Sequence, residues 1–221
     1  MEQIFMSEKK YITTPIYYIN DVPHIGHAYT TVAADVLARY YRSQGDDVFF
    51  LTGTDEHGAK IAEAAAKASK EPKQFVDDLV PKFKNAWEKL NIRYDEFFRT
   101  TDPRHEEVVQ EFVKKLADNG YVAKKKYEGL YCVGCERFYA PDELVDGKCP
   151  DHNREPELKS EENYFFLLSK FADKLLGAIE KGEYEILPES RKNEVIGKIK
   201  KGLEDVSISR GEVKWGIPYP G

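Results

Sequence analysis

Apolar and polar residues change rhythm several times along the chain, and each rhythm predicts an element. Lys10–Tyr18 (KYITTPIYY) is a β-branched and aromatic run, the pattern of a buried strand. Asn20-Asp21-Val22-Pro23 ends it with turn chemistry. Helical spacing then holds from about His24 to Gln44, through Ala28, Val32, Ala33, Val36, Leu37, Tyr40 and Tyr41, and Gly45 stands where a helix C′ residue belongs. Asp47–Leu51 (DVFFL) predicts the next strand and Thr52–Gly58 the loop after it. Strand, helix and strand within about 45 residues make a βαβ unit, which implies a parallel sheet with a right-handed crossover.

Two or three helices follow. Phe75, Leu79, Phe83, Trp87 and Leu90 form one apolar stripe; Val108, Val109, Phe112, Val113 and Leu116 form another, with Asp102 as N-cap and Pro103 at N1. From Tyr121 the texture changes to a loop-rich stretch of short strands, with Lys124–Lys126, three cysteines and Pro141, Pro150 and Pro156. Asn163–Leu168 reads as a strand, Phe171–Ile179 and Glu189–Gly202 as helices, and Val206–Ser209 as a last strand.

With 41% hydrophobic and 13% aromatic residues in 221, the chain can build a real core and is not intrinsically disordered. No apolar run approaches the roughly 20 residues of a membrane span, so no membrane partner and a cytoplasmic location are expected. The net charge of −6 excludes a polyanion binder held by overall basicity, although local patches can still act.

All three cysteines fall in one short segment, which excludes a disulfide framework. Cys132, Cys135, Cys149 and His152 read C-x2-C-x13-C-x2-H. Two-residue spacing lets both ligands of a knuckle reach one ion, and three thiolates with one imidazole form the closed shell of a structural zinc site. The competing reading is three unrelated reduced thiols beside a loop histidine. Charges around the knuckle are mixed, so a structural clip is favoured over a nucleic-acid reader.

His24-Ile25-Gly26-His27 lies where the first strand hands over to the first helix. Ligands of open parallel sheets sit beyond the carboxyl ends of strands, and a helix N-terminus there suits phosphate. Two imidazoles three apart can donate to phosphate oxygens, and Gly26 between them admits a close approach. Taken alone the pattern is a weak signal, and chance or helix capping is the competing explanation. Thr52–Gly58 should reach the same sheet edge, where Asp55, Glu56 and His57 would hold an ammonium group or magnesium, or form a solvated polar loop.

Thr14-Pro15-Ile16-Tyr17-Tyr18-Ile19-Asn20 with Pro23-His24-Ile25-Gly26-His27 resembles the first signature of class I aminoacyl-tRNA synthetases, in its methionyl form. Gly53–Gly58 is similar to that family's second active-site loop, and the cysteine segment with Asn163-Tyr164-Phe165-Phe166 to its zinc-bearing insert. Ile208-Ser209-Arg210 and Trp215–Pro218 resemble the return into the catalytic domain, so the likeness spans about residues 10–221.

The resemblance implies an α/β fold: the first half of a Rossmann-type parallel-sheet nucleotide-binding domain over 1–120, a connective insert with the zinc knuckle over 121–205, and a return segment over 206–221. It implies activation of methionine by ATP, carried with magnesium as substrate, and transfer to tRNA(Met). His24, Gly26 and His27 would bind ATP, with the two histidines catalytic. Ile16, Tyr18, Asp55 and His57 would bind methionine, and one zinc ion would fold the insert. The family's Lys-Met-Ser-Lys-Ser signature is missing; Lys67-Ala68-Ser69-Lys70 lies in an Ala-rich helical stretch instead. The chain is therefore expected to be truncated and inactive alone, with a second polypeptide one source of the remainder. The alternatives are a non-catalytic tRNA- or protein-binding relic, or another nucleotidylyl transferase using His-x-Gly-His.

Overall fold

The first predicted strand divides at Pro15. In the computed structural model, which describes residues 7–135, 137–139, 141–211 and 214–220, β1 (Lys9–Thr13) and β2 (Tyr17–Tyr18) lie end to end along one edge of β3 (Asp47–Asp55). Thr13 pairs with Leu51 and Tyr17 with Thr54, so three residues of the first strand face two of β3. The break is a bulge at Pro15, which has no amide to donate. Thr14 spans it, donating its amide to Leu51 at 3.2 Å and sharing a hydroxyl bond with Thr52 at 2.8 Å.

Helix α1 (Ile25–Ser43) joins β2 to β3; α2 (Ala59–Lys67) and α3 (Pro72–Lys89) join β3 to β4 (Glu96–Arg99). β4 takes the other edge of β3, and every pairing is parallel. Gly53 makes that pairing possible: a Cβ there would stand 2.0 Å from the Phe98 carbonyl oxygen. Two differences from the sequence reading matter. Thr52–Asp55 extend β3 and are not loop, because Thr52 and Thr54 find buried partners for their hydroxyls. β4 was not anticipated, because Glu-Phe-Phe-Arg is too short to show a period.

Tyr17, Ile19, Ile61, Val76, Leu79, Val80, Phe83 and Trp87 form the main core, gathered from β2, the segment after it, α2 and α3. A second cluster packs Ala34 and Ala38 of α1 on Phe50 of β3, small residues allowing the helix close approach. These elements, to residue 109 and with Trp215–Ile217, form one compact unit; residues 110–214 and 218–221 form a second. Helix α4 (Pro103–Asp118) carries the chain from one to the other.

The second unit is built on an antiparallel sheet ordered β6-β5-β7-β8, from β5 (Val122–Cys132), β6 (Arg137–Tyr139), β7 (Glu157–Phe166) and β8 (Val206–Ser207), with α5 (Ala172–Glu180) and α6 (Glu189–Lys201) before β8. β5 and β7 pair continuously from Val122↔Phe166 to Tyr131↔Glu157, a long ribbon rather than the short strands expected. Its polarity hid it from the sequence: Lys124–Lys126 run opposite Glu162–Tyr164, with a Lys124–Glu162 ion pair of 2.7 Å. Among the described residues no helix is long and apolar enough to cross a membrane.

Candidate active site and metal centre

Two histidines cap α1. His24 is the N-cap residue, and its Nδ1 accepts from the Gly26 amide at 3.1 Å; the His24 amide in turn donates to Nδ1 of His27 at 3.2 Å. The rings stack with centroids 3.8 Å apart. Because each Nδ1 accepts from an amide, the neutral rings carry their proton on Nε2, and both Nε2–H groups are donors. Gly26 is required for a nearer reason than ligand approach: a Cβ there would meet the His24 ring at 2.9 Å.

His27 is held from beneath by Tyr17 (centroids 4.8 Å) and Phe83 (5.5 Å). Tyr17 shares a 2.7 Å hydroxyl bond with Thr31, which donates to the His27 carbonyl at 2.9 Å. Burial, and then the neighbouring His24, lower the pKa of His27 below its ordinary 6.5.

At the end of β3 the chemistry differs. Glu56 is fully buried, with carboxylate oxygens accepting from Arg99 Nε (2.7 Å) and Nη2 (2.8 Å), Thr54 (2.5 Å) and Thr101 (2.6 Å). Burial works against the charge of Arg99, but hydrogen bonds to Glu56 and Asp77 outweigh it and raise its pKa. Glu56 therefore belongs to the scaffold, and the carboxylate pair read from the loop does not face a ligand as a pair. His57 contacts the Thr100 carbonyl through Nε2 at 3.1 Å, while its buried Nδ1 has no partner. Trp215 closes over the loop: its indole N–H donates to the Glu56 carbonyl, and its own carbonyl accepts from Gly58 at 3.0 Å.

The knuckle residues converge. Sγ of Cys132, Cys135 and Cys149 and a ring nitrogen of His152 all lie within 4.8 Å of one another. Cys135 Sγ is 3.2 Å from Cys149 Sγ and 3.2 Å from His152 Nδ1. Zn–S bonds of about 2.3 Å in a tetrahedron put ligand atoms about 3.8 Å apart, so the residues fit one such ion. Gly134 is needed for the fold of the knuckle, since a Cβ would meet the His152 ring at 2.7 Å. Burial pushes both Cys135 and Cys149 up; hydrogen bonds from Tyr139, Cys135 and His152 reverse this at Cys149 and bring it down to about 5, while Cys135 stays high. Tyr139, buried beside them, hydrogen-bonds Cys135 Sγ at 2.9 Å and Asp151 at 3.1 Å.

A family model described as tRNA synthetases class I (M) matches residues 10–156 and 151–221. The chain belongs to this family of class I tRNA synthetases. It is 53% identical to the methionine–tRNA ligase of Caldanaerobacter subterraneus over 97% of its own length and 34% of that protein's. Against the methionine–tRNA ligase of Streptomyces coelicolor it is 50% identical over 95% of itself and 41% of the relative. The Mycobacterium tuberculosis methionyl-tRNA synthetase in complex with methionyl-adenylate superposes with a TM-score of 0.90 at 41% identity, over 96% of this chain and 43% of that one. The apo form of that enzyme gives 0.78 at 37% identity. The chain spans between a third and a half of the length of these relatives.

Within the synthetase sheet, β2 connects the candidate residues. Its two side chains point to opposite faces: Tyr17 meets His27, and Tyr18 stands in register with Asp55, the last residue of β3. Ile16 is half-exposed on the bulge, and Lys67 ends α2 with Ser69 just beyond it. Sequence reasoning assigned no role to Arg99, Tyr17 or Tyr139 and placed Glu56 in the wrong one; the Arg99–Glu56 pair joins residues 43 apart, and Tyr17 and Tyr139 read only as apolar bulk until their hydroxyl partners are seen. Trp215 stands out in the sequence only as a family landmark.

The lowered pKa of His27 gives a signed expectation. A folded-state value below the unfolded one contributes stability that is fully present above about pH 6.5 and is lost as pH falls through the folded value. Titration of the His27 ring protons by NMR should give a midpoint below 6.5. A midpoint at or above that value would mean the ring is not held neutral by its surroundings.

Proposed function

We propose that these residues form the first half of the active site of a methionine–tRNA ligase. On this reading residues 1–120 and 206–221 belong to the catalytic fold and 121–205 to its insert. The observation that carries the proposal is the histidine cap: two Nδ1 atoms occupied by backbone amides leave two Nε2–H donors at a helix N-terminus, the arrangement a polyphosphate needs.

The methionine carboxylate oxygen attacks the α-phosphorus of ATP, the bond to the bridging oxygen breaks, and magnesium-bound pyrophosphate leaves. A ribose hydroxyl of the 3′ adenosine of tRNA(Met) then attacks the acyl carbon, the acyl–phosphate bond breaks, and AMP leaves with the electron pair. His24 and His27 donate from Nε2 to phosphate oxygens as charge builds in the transition state, with Gly26 allowing the rings to stack. Asp55 holds the α-ammonium of methionine, Ile16 and Tyr18 floor the side-chain pocket, and His57 shapes it. Cys132, Cys135, Cys149 and His152 would hold one zinc ion in a closed shell, which would order the insert and supply no chemistry to the substrates. The tRNA substrate makes the cytoplasm the compartment of this activity.

The test is methionine-dependent ATP–pyrophosphate exchange by the full-length enzyme, as the natural polypeptide or with the later half of the fold taken from the Thermotoga maritima relative, 51% identical over 95% of this chain. His24→Ala or His27→Ala should each lower kcat by about 10²–10³, the scale of losing one preorganised donor, with KM for methionine little changed. Unchanged kcat with weakened methionine binding would put the histidines in the wrong role. Exchange with a different acyl substrate would make the protein another nucleotidylyl transferase, and silence a non-catalytic relic. Residues 1–221 by themselves, without the Lys-Met-Ser-Lys-Ser loop, should show no exchange.

For the metal, elemental analysis of protein purified without chelator should find one zinc per chain. Cys135→Ser should release it and open the segment from about Tyr127 to Lys159 to proteolysis, because metal binding there is folding energy. Absence of zinc from the parent protein would refute the assignment.

A further inference from the structure

Glu56, His57 and Gly58 are gripped by a residue 159 positions further along the chain. The Trp215 indole N–H donates to the Glu56 carbonyl, the Gly58 amide donates to the Trp215 carbonyl at 3.0 Å, and the indole lies 5.2 Å from the His57 ring at 48°. Trp215 therefore takes one backbone group on each side of His57 and also packs on its ring.

The need for a donor here follows from the sheet. The last ladder pairs of β3 are Tyr18↔Asp55 on one edge and Thr54↔Arg99 on the other. Glu56 lies one residue past the first and two past the second, where no neighbouring strand offers its carbonyl an amide. Phenylalanine or tyrosine would fill much of the same volume, but of the three only the indole carries a ring N–H. The chain's other tryptophan, Trp87, is fully buried in the core with its N–H unpartnered, so there the ring serves as bulk. At position 215 the N–H is used.

We propose that Trp215 is a positioning residue for the amino-acid end of the site, acting through the Glu56–Gly58 backbone to hold Asp55 and His57 in the orientation that receives methionine. The proposal rests on the methionyl reading above. Nothing in it involves ATP, because His24 and His27 are set by the first turn of α1 and by Tyr17, Thr31 and Phe83.

Trp215→Phe keeps most of the ring and removes the donor. In the full-length enzyme, KM for methionine in the exchange reaction should rise about tenfold, the scale of one lost hydrogen bond with an orphaned carbonyl. The KM for ATP and kcat should stay within about twofold of the parent. A merely structural role would lower the active fraction, and so kcat, while leaving both KM values alone; that outcome overturns the proposal. If the variant does not fold, 5-fluorotryptophan labelling keeps the question open to refutation. The 19F line of 5-fluorotryptophan placed at position 215 alone, by site-specific incorporation, should shift on saturation with methionine alone and stay in place with ATP. A line unmoved by methionine overturns the proposal. An active parent whose variant keeps its methionine KM removes the role of Trp215 only, whereas a parent without methionine-dependent exchange removes the methionyl reading and this role with it.

Discussion

A carboxylate removed from water must be neutralised and hydrogen-bonded, and the functional edge of this sheet is arranged around one such group. The two oxygens of Glu56 accept from Arg99, Thr54 and Thr101, its amide donates to Thr100, and its carbonyl accepts from Trp215. These partners come from β3, from the end of β4 and just beyond it, and from the returning segment, so one residue, through its side chain and its own backbone, fastens three stretches of chain. Replacing a buried ion pair by apolar residues is often neutral in stability. The consequence of the pair here is geometric: with Glu56 fixed, Asp55 before it and His57 after it have little freedom.

The other end of the site is ordered by different physics. His24 and His27 satisfy amides that a helix start leaves without partners, and in doing so they set their own tautomers. The cap occupies Nδ1 of each ring and leaves Nε2–H to donate, so capping and the phosphate binding proposed for these residues do not exclude one another. Burial against Tyr17 and Phe83 keeps His27 neutral, so its Nδ1 stays an acceptor and the cap survives near neutral pH.

Much of this was legible in the sequence where the information is local. The turn after Asn20, the helical spacing to Gln44 and the knuckle spacing of Cys132, Cys135, Cys149 and His152 each lie within one short window. What could not be read depends on partners far apart in the chain. Glu56 looks like any loop acid until Arg99 is placed beside it by β4, itself too short to show a period. The β5–β7 ribbon sets polar and charged residues opposite one another, Lys126 across from Glu162 and Lys125 across from Asn163, so no alternation of hydrophobicity marks it in the sequence. The donor role of Trp215 is visible only once Glu56 is known to lie past the end of the ladder.

The claim that a buried ion pair organises the Asp55–Gly58 loop is tested most directly by a double-mutant cycle in urea denaturation, with Arg99→Met, Glu56→Gln and the two combined. Arg99→Met strands a buried carboxylate and should cost about 3 kcal/mol, whereas the double variant leaves no unpaired charge, so the account predicts a coupling of about 1–3 kcal/mol between the two positions. Additive effects, with coupling under about 0.5 kcal/mol, would contradict it.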